Sequence, residues 1–102
     1  MDQHYLHAGQ RFRWDMEKAH ANASKHGVRF EQACEVFFDP FFRLTDATED
    51  EEAREAVIGL TEDWTLLFVV HVIREQDTIR ILSARRATRA ERRLYEDDPG
   101  TA

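Results

Sequence analysis

The chain has one cysteine, Cys34, among 102 residues, so no internal disulfide can form, which fits a reducing compartment. Long apolar runs are missing as well. The longest, "LLFVV" within "WTLLFVVHVI", falls far short of a membrane span, and no membrane association is expected. The opening "MDQHYLHAGQ" has no basic start and no apolar stretch, which argues against a secretory signal and for a cytoplasmic protein. With two prolines and four glycines there is no Pro/Gly-rich linker, and no repeat stands out. A chain of this length makes one domain with a modest core. We expect an N-terminal extension over 1–10, a single domain over 11–97 and a disordered tail over 98–102.

Charge is present and unevenly placed. The net charge of −6 argues against indiscriminate nucleic-acid binding. Yet "DATEDEEARE", 46–55, holds six acids and one arginine, while 80–93 holds six arginines and one acid, Glu91. Such asymmetry implies two surfaces with different partners, or one that neutralises the other.

Patterning predicts the elements. "RFRW", 11–14, reads as a short strand, and Asp15 can cap a helix running to about His26 that ends at Gly27. Phe30, Ala33, Cys34, Phe37 and Phe41 recur at helical steps, which predicts a second helix over about 30–39 with one buried stripe, stopped by Pro40. In that stripe Cys34 reads as a small core residue. The acidic stretch reads as a solvated loop. Three strands follow, about 54–60, 64–74 and 78–86, joined by "TEDW" and "REQD". In the last, Ile79 and Ile81 face the core, and Arg80, Leu82 and Ala84 the open side. Strict alternation sets Arg80 and Arg85 on opposite faces unless the strand twists or bulges near Ser83. Thr88 and Glu91 form a capping box for a helix to about Asp97, whose thin stripe of Ala87, Ala90, Leu94 and Tyr95 implies loose attachment or docking on a partner. The predicted class is α+β, with two N-terminal helices packed on a small antiparallel sheet of three to four strands and a C-terminal helix at its edge.

Three stretches in order match one pattern. "FRWDMEKAHANASKHGVRFEQACEVFFDP" resembles the opening of the BrnT-type toxins, with W-D-x-x-K, N-x-x-K-H-G and F-x-x-A-x-x-V-F. "EAREAVIG" resembles their E-x-R segment leading to I-G, and "IRILSARRATRAERRLYE" resembles their close. The likeness spans 12–96. It implies a RelE-like fold and the toxin of a type II toxin–antitoxin pair, an endoribonuclease that cuts RNA and inhibits translation. It also implies a hetero-oligomer with a cognate antitoxin, usually of ribbon-helix-helix, DNA-binding type. Ala53 and Glu55 depart from the pattern beside the E-x-R, and Arg29 replaces the usual small polar cap of the second helix.

Metal-free RNA cleavage needs a base for the 2′-hydroxyl, cations for the five-coordinate phosphorus and an acid for the leaving 5′-oxygen. Arginine suits the cationic task because its fork grips two phosphate oxygens. Arg85, at the strand end, and Arg54, from the neighbouring strand, are the first catalytic candidates and are expected to converge in a single phosphate pocket; a plain ion pair or surface charge is the alternative for each. Glu52, His71 and Lys25 are candidates for proton transfer. His71 reads equally as a packed core histidine, and Lys25 and His26 as cations at the negative end of a helix dipole. Arg80, Arg86 and His26 are assigned to RNA binding. Arg89, Arg92, Arg93 and Tyr95 are assigned to antitoxin binding. His4 and His7 are too few for a zinc site, and neither metal nor cofactor is expected. Trp14 and Trp64 read as core or rim residues, with base stacking as the alternative for an exposed one. The second functional reading is a non-catalytic or degenerate partner protein that binds only its antitoxin.

Overall fold

The computed structural model describes residues 1–97. The strands are β1 (Asp2–His7), β2 (Gln10–Asp15), β3 (Arg43–Asp46), β4 (Glu55–Leu60), β5 (Leu66–Ile73) and β6 (Ile79–Arg86). The helices are α1 (Met16–His26), α2 (Phe30–Ala33) and α3 (Arg89–Glu96). The strands form one sheet in the order β1-β2-β6-β5-β4-β3, antiparallel throughout except where β2 runs parallel to β6. This corrects the expected fold, two helices on an antiparallel sheet of three to four strands. The sheet has six strands and is mixed. The parallel pair arises because α1 leaves the end of β2 and the chain returns to that strand's side only with β6.

Two strands escaped the pattern. Residues 1–10, expected as a loose extension, fold back as a hairpin on β2, with Tyr5 opposite Phe12 and packed on the core. Arg43–Asp46 pairs with β4 at the far edge. The expected disordered tail, 98–102, lies outside the described residues.

Local signals set the helix ends. The Asp15 carboxylate accepts the Lys18 N–H at 3.0 Å, and Gly27, at φ 70°, takes the left-handed turn that closes α1. The second helix is shorter than expected. After one α-turn the chain tightens to 3₁₀ geometry over Cys34–Phe38, and Asp39 then turns the chain. Phe41 leaves the predicted stripe for that reason and is 73% exposed.

One face of the sheet carries the core. Phe12, Trp14, Val57, Leu67, Val69, Ile79, Ile81 and Ala84 meet Phe30, Ala33, Cys34 and Val36. Val36 approaches Gly59 so closely that a β-carbon there would lie 2.9 Å from the Val36 carbonyl oxygen. Among the described residues, the other face is covered at one end only, by α3. That helix buries none of its residues. Burial of large side chains, at about 1.5–3 kcal/mol each, therefore does not hold it. Polar contacts do.

Candidate functional site

Arg85 sits near the end of β6, opposite Phe68, whose ring lies 4.3 Å from its guanidinium carbon. Its two terminal nitrogens donate to both oxygens of Glu91, at 2.7 and 2.9 Å. Glu91 also accepts the Thr88 N–H, so the residue that closes the capping box is the one that grips Arg85. A second polar latch lies further along α3. The Tyr95 hydroxyl donates to Asp39 Oδ2 at 2.5 Å, and the same carboxylate accepts the Leu60 and Phe41 N–H groups. Burial opposes ionisation of Asp39 and Glu91, yet these donors outweigh it and hold both carboxyls below their ordinary values. Burial and the Asp39 charge push Tyr95 up to about 12.

Arg80 and Arg85 share a face. His71 pairs with Ile81 and Val70 with Ser83, so Leu82 is an extra residue bulged from β6. The bulge reverses the alternation between the two arginines, and it turns Ala84, expected on the open side, into the core. Arg80 does not stand free, however. Its guanidinium donates twice to Asp2 of β1, at 2.9 and 3.1 Å, and Arg13 lies 3.5 Å from the same carboxylate.

Arg54 precedes β4 and binds Glu49 and Glu52 at 3.2 and 3.1 Å. Arg74, just after β5, approaches Glu52 at 3.9 Å. Arg54 and Arg85 do not form the single pocket that sequence reasoning expected. By alternation both leave the same face of the sheet. Arg85 lies beside Phe68, though, and Arg54 beyond the His71 row, about four strand residues or roughly 13 Å away along β5.

The opposite face holds the other candidates. His71 is buried, packed edge-on to Phe37 at 4.9 Å and 3.3 Å from the Val69 carbonyl oxygen; burial lowers its pKa. It is a core histidine away from the arginine face. Lys25 and His26 end α1, Lys25 exposed and His26 half-buried, and Arg86 is exposed on the α1 side of β6. Asn22, one turn earlier on α1, is buried. Its amide donates to the Ala84 and Val28 carbonyls at 2.8 and 3.0 Å and accepts the Ala84 N–H at 3.0 Å. It supplies the bonds a neighbouring strand would give β6, and so fixes the strand just before Arg85. The asparagine of N-x-x-K-H-G was visible as a motif letter, but its task was not.

On α3, Arg89, Arg92 and Arg93 are exposed; Arg92 approaches Glu96 at 3.9 Å. Tyr95 also lines a shallow apolar groove with Phe38, Phe41, Leu60 and Trp64. Trp14 is buried, whereas Trp64 is 80% exposed at a turn with φ 67°. Sequence reasoning missed Asp2, Arg13, Asp39 and Arg74. All four act through partners at least 11 positions away, which no local pattern announces.

A family model described as "Ribonuclease toxin, BrnT, of type II toxin-antitoxin system" matches residues 14–91. None of the curated proteins matches the chain. Among solved structures, the crystal structure of the Brucella abortus ribonuclease toxin BrnT is similar at 22% sequence identity and a TM-score of 0.58. The match covers 74% of this chain and 94% of that one. At that identity the structural likeness concerns the fold. The β1–β2 hairpin, up to Arg13, precedes the family match.

Proposed function

The chain belongs to the BrnT family of ribonuclease toxins of type II toxin–antitoxin systems, and from that premise we propose that it is a metal-independent endoribonuclease, inhibits translation and is neutralised by a cognate antitoxin. Residues 14–91, matched by the family model, contain both E-x-R and S-A-R-R. The observation that carries the reading is a carboxylate set between two guanidiniums, Glu52 at 3.1 Å from Arg54 and 3.9 Å from Arg74.

In this reading Glu52 takes the proton of a 2′-hydroxyl. The 2′-oxygen bonds to phosphorus, the bond to the 5′-oxygen breaks, and the departing oxygen takes a proton from solvent water, leaving a 2′,3′-cyclic phosphate and a 5′-hydroxyl. Arg54 stabilises the charge gathered on the phosphate. Arg80 and Arg85 hold neighbouring phosphates along the same face, each by exchanging its internal carboxylate for the backbone. Arg89, Arg92, Arg93 and Tyr95 receive the antitoxin, where acidic side chains would neutralise charge as they cover it.

A specific observation favours a second reading. Arg54, Arg80 and Arg85 are each already paired with acids of the same chain. With these three cations occupied, the chain would be a non-catalytic antitoxin-binding partner. Incubation of purified protein with single-stranded RNA in EDTA separates the two. The toxin reading expects cyclic-phosphate ends from the wild type and at least a hundredfold slower cleavage with Glu52→Gln or Arg54→Ala. A magnesium requirement would overturn the metal-free mechanism. Antitoxin binding without any cleavage would establish the second reading.

A further inference from the structure

The β1–β2 hairpin and the 3₁₀ turn Glu75–Asp77 enclose an open cavity of about 760 Å³ on the arginine face, away from α3. Its wall holds Arg11, Arg13, Arg74 and His4. His4 lies opposite Arg13 and Leu6 opposite Arg11 on the β1–β2 pair, so hairpin register alone brings these side chains to one side. We propose that this cavity is the path of the RNA backbone next to the scissile bond, a reading that rests on the ribonuclease function proposed above.

Charge supports it. Arg13 and Arg80 share Asp2, while Arg54 and Arg74 share Glu52, with Glu49 also on Arg54. Arg11 meets only the Gln76 amide oxygen, at 3.4 Å, and no acid among the described residues. Four guanidiniums thus share three carboxylates and a fifth, that of Arg11, has none, with Glu75 on the wall. The Arg74–Glu52 pair is exposed on both sides, and such a pair exchanges partners at little cost. A phosphodiester can therefore take the free fork of Arg11 and draw Arg74 from Glu52.

Continuity gives the direction. Arg74 belongs both to the cavity wall and to the Glu52–Arg54 group. A strand leaving Glu52 enters the cavity through Arg74. Arg11, Arg13 and His4 precede the matched range 14–91, so this part of the path is supplied by this chain's N-terminal hairpin.

The test uses fluorescence anisotropy with a labelled single-stranded RNA, at several salt concentrations. It compares the wild type, Arg11→Ala/Arg74→Ala and Arg89→Ala/Arg93→Ala. Thermal melts confirm that each variant folds, and Arg11→Lys/Arg74→Lys shows whether charge suffices. Loss of two phosphate contacts is expected to weaken binding about tenfold or more and to lower the salt slope by about 1.4. The α3 variant should keep wild-type affinity for RNA. Unchanged affinity and slope in Arg11→Ala/Arg74→Ala, with an RNA-binding wild type, would overturn the cavity proposal alone. So would a loss confined to binding of the antitoxin. A wild type that neither binds nor cuts RNA would overturn the ribonuclease reading and this proposal together.

Discussion

Arg80 and Arg85 leave β6 on the same side although an odd number of positions separates them, because Leu82 is bulged from the pairing. The two guanidiniums differ in what they hold. Arg80 ties down the first strand through Asp2, and Arg85 ties down the last helix through Glu91. Arg80 therefore ties the edge strand into the sheet, and Arg85 ties down the helix laid on its open face.

Replacement of Arg85 by lysine keeps the charge and loses the fork. We expect urea midpoints to show a loss of about 1 kcal/mol, a modest value because the pair is partly exposed. Glu91→Gln should lose a similar amount and also weaken the cap of α3. A double variant that costs no more than either single one would confirm that both act through one contact. Additive costs would contradict it.

Asn22→Ala should be more damaging. It leaves the N–H and C=O of Ala84 buried without partners, a loss of about 2 kcal/mol or more. Chemical denaturation would measure it. Asn22→Asp keeps the acceptor and loses the donor, so its cost should also be substantial. Wild-type stability in both would exclude the strand-replacing role.

Attachment of α3 should depend on acid. Asp39 and Glu91 are held below their ordinary values of 3.8 and 4.5 in the folded state. Their contribution is therefore complete above those values and is lost as the pH falls through the lower folded ones. Hydrogen exchange should show α3 amides opening below about pH 4 while those of β5 and β6 stay protected. Release of α3 on raising the pH from 5 to 8 would have the wrong sign.

Trp64 occupies a left-handed backbone position at φ 67°, where a bulky residue is strained, and exposes most of its ring. Trp64→Gly should raise stability by about 1 kcal/mol, seen as a melting temperature several degrees higher. A lower melting temperature would show that the indole contributes contacts worth more than the strain.

The features legible in the sequence were the local ones. Asp15, Gly27 and the Thr88–Glu91 box act within one turn of their own backbone, and the alternation of Ile79 and Ile81 names the core face directly. The bulge was legible only as one of two outcomes, since nothing in "ILSARR" shows which residue loses its partner. β1 was not legible, because "DQHYLH" gains its place from Tyr5 on Phe12 and Asp2 on Arg80 rather than from an apolar run. The expected pocket of Arg54 and Arg85 failed for a related reason. Neighbouring strands place side chains on a common face, but which row each occupies depends on register. Register put Arg54 near Val72 and Arg85 at Phe68.

Gly59 has an effect beyond its own strand. Because Gly59 has no β-carbon, Val36 can rest directly on β4, and the chain reaches Asp39 three residues later at the height of the Leu60 N–H. There the same carboxylate meets the Tyr95 hydroxyl from the far side of the sheet. A side chain at this one position would press on Val36 and so disturb the anchor of a helix it never touches.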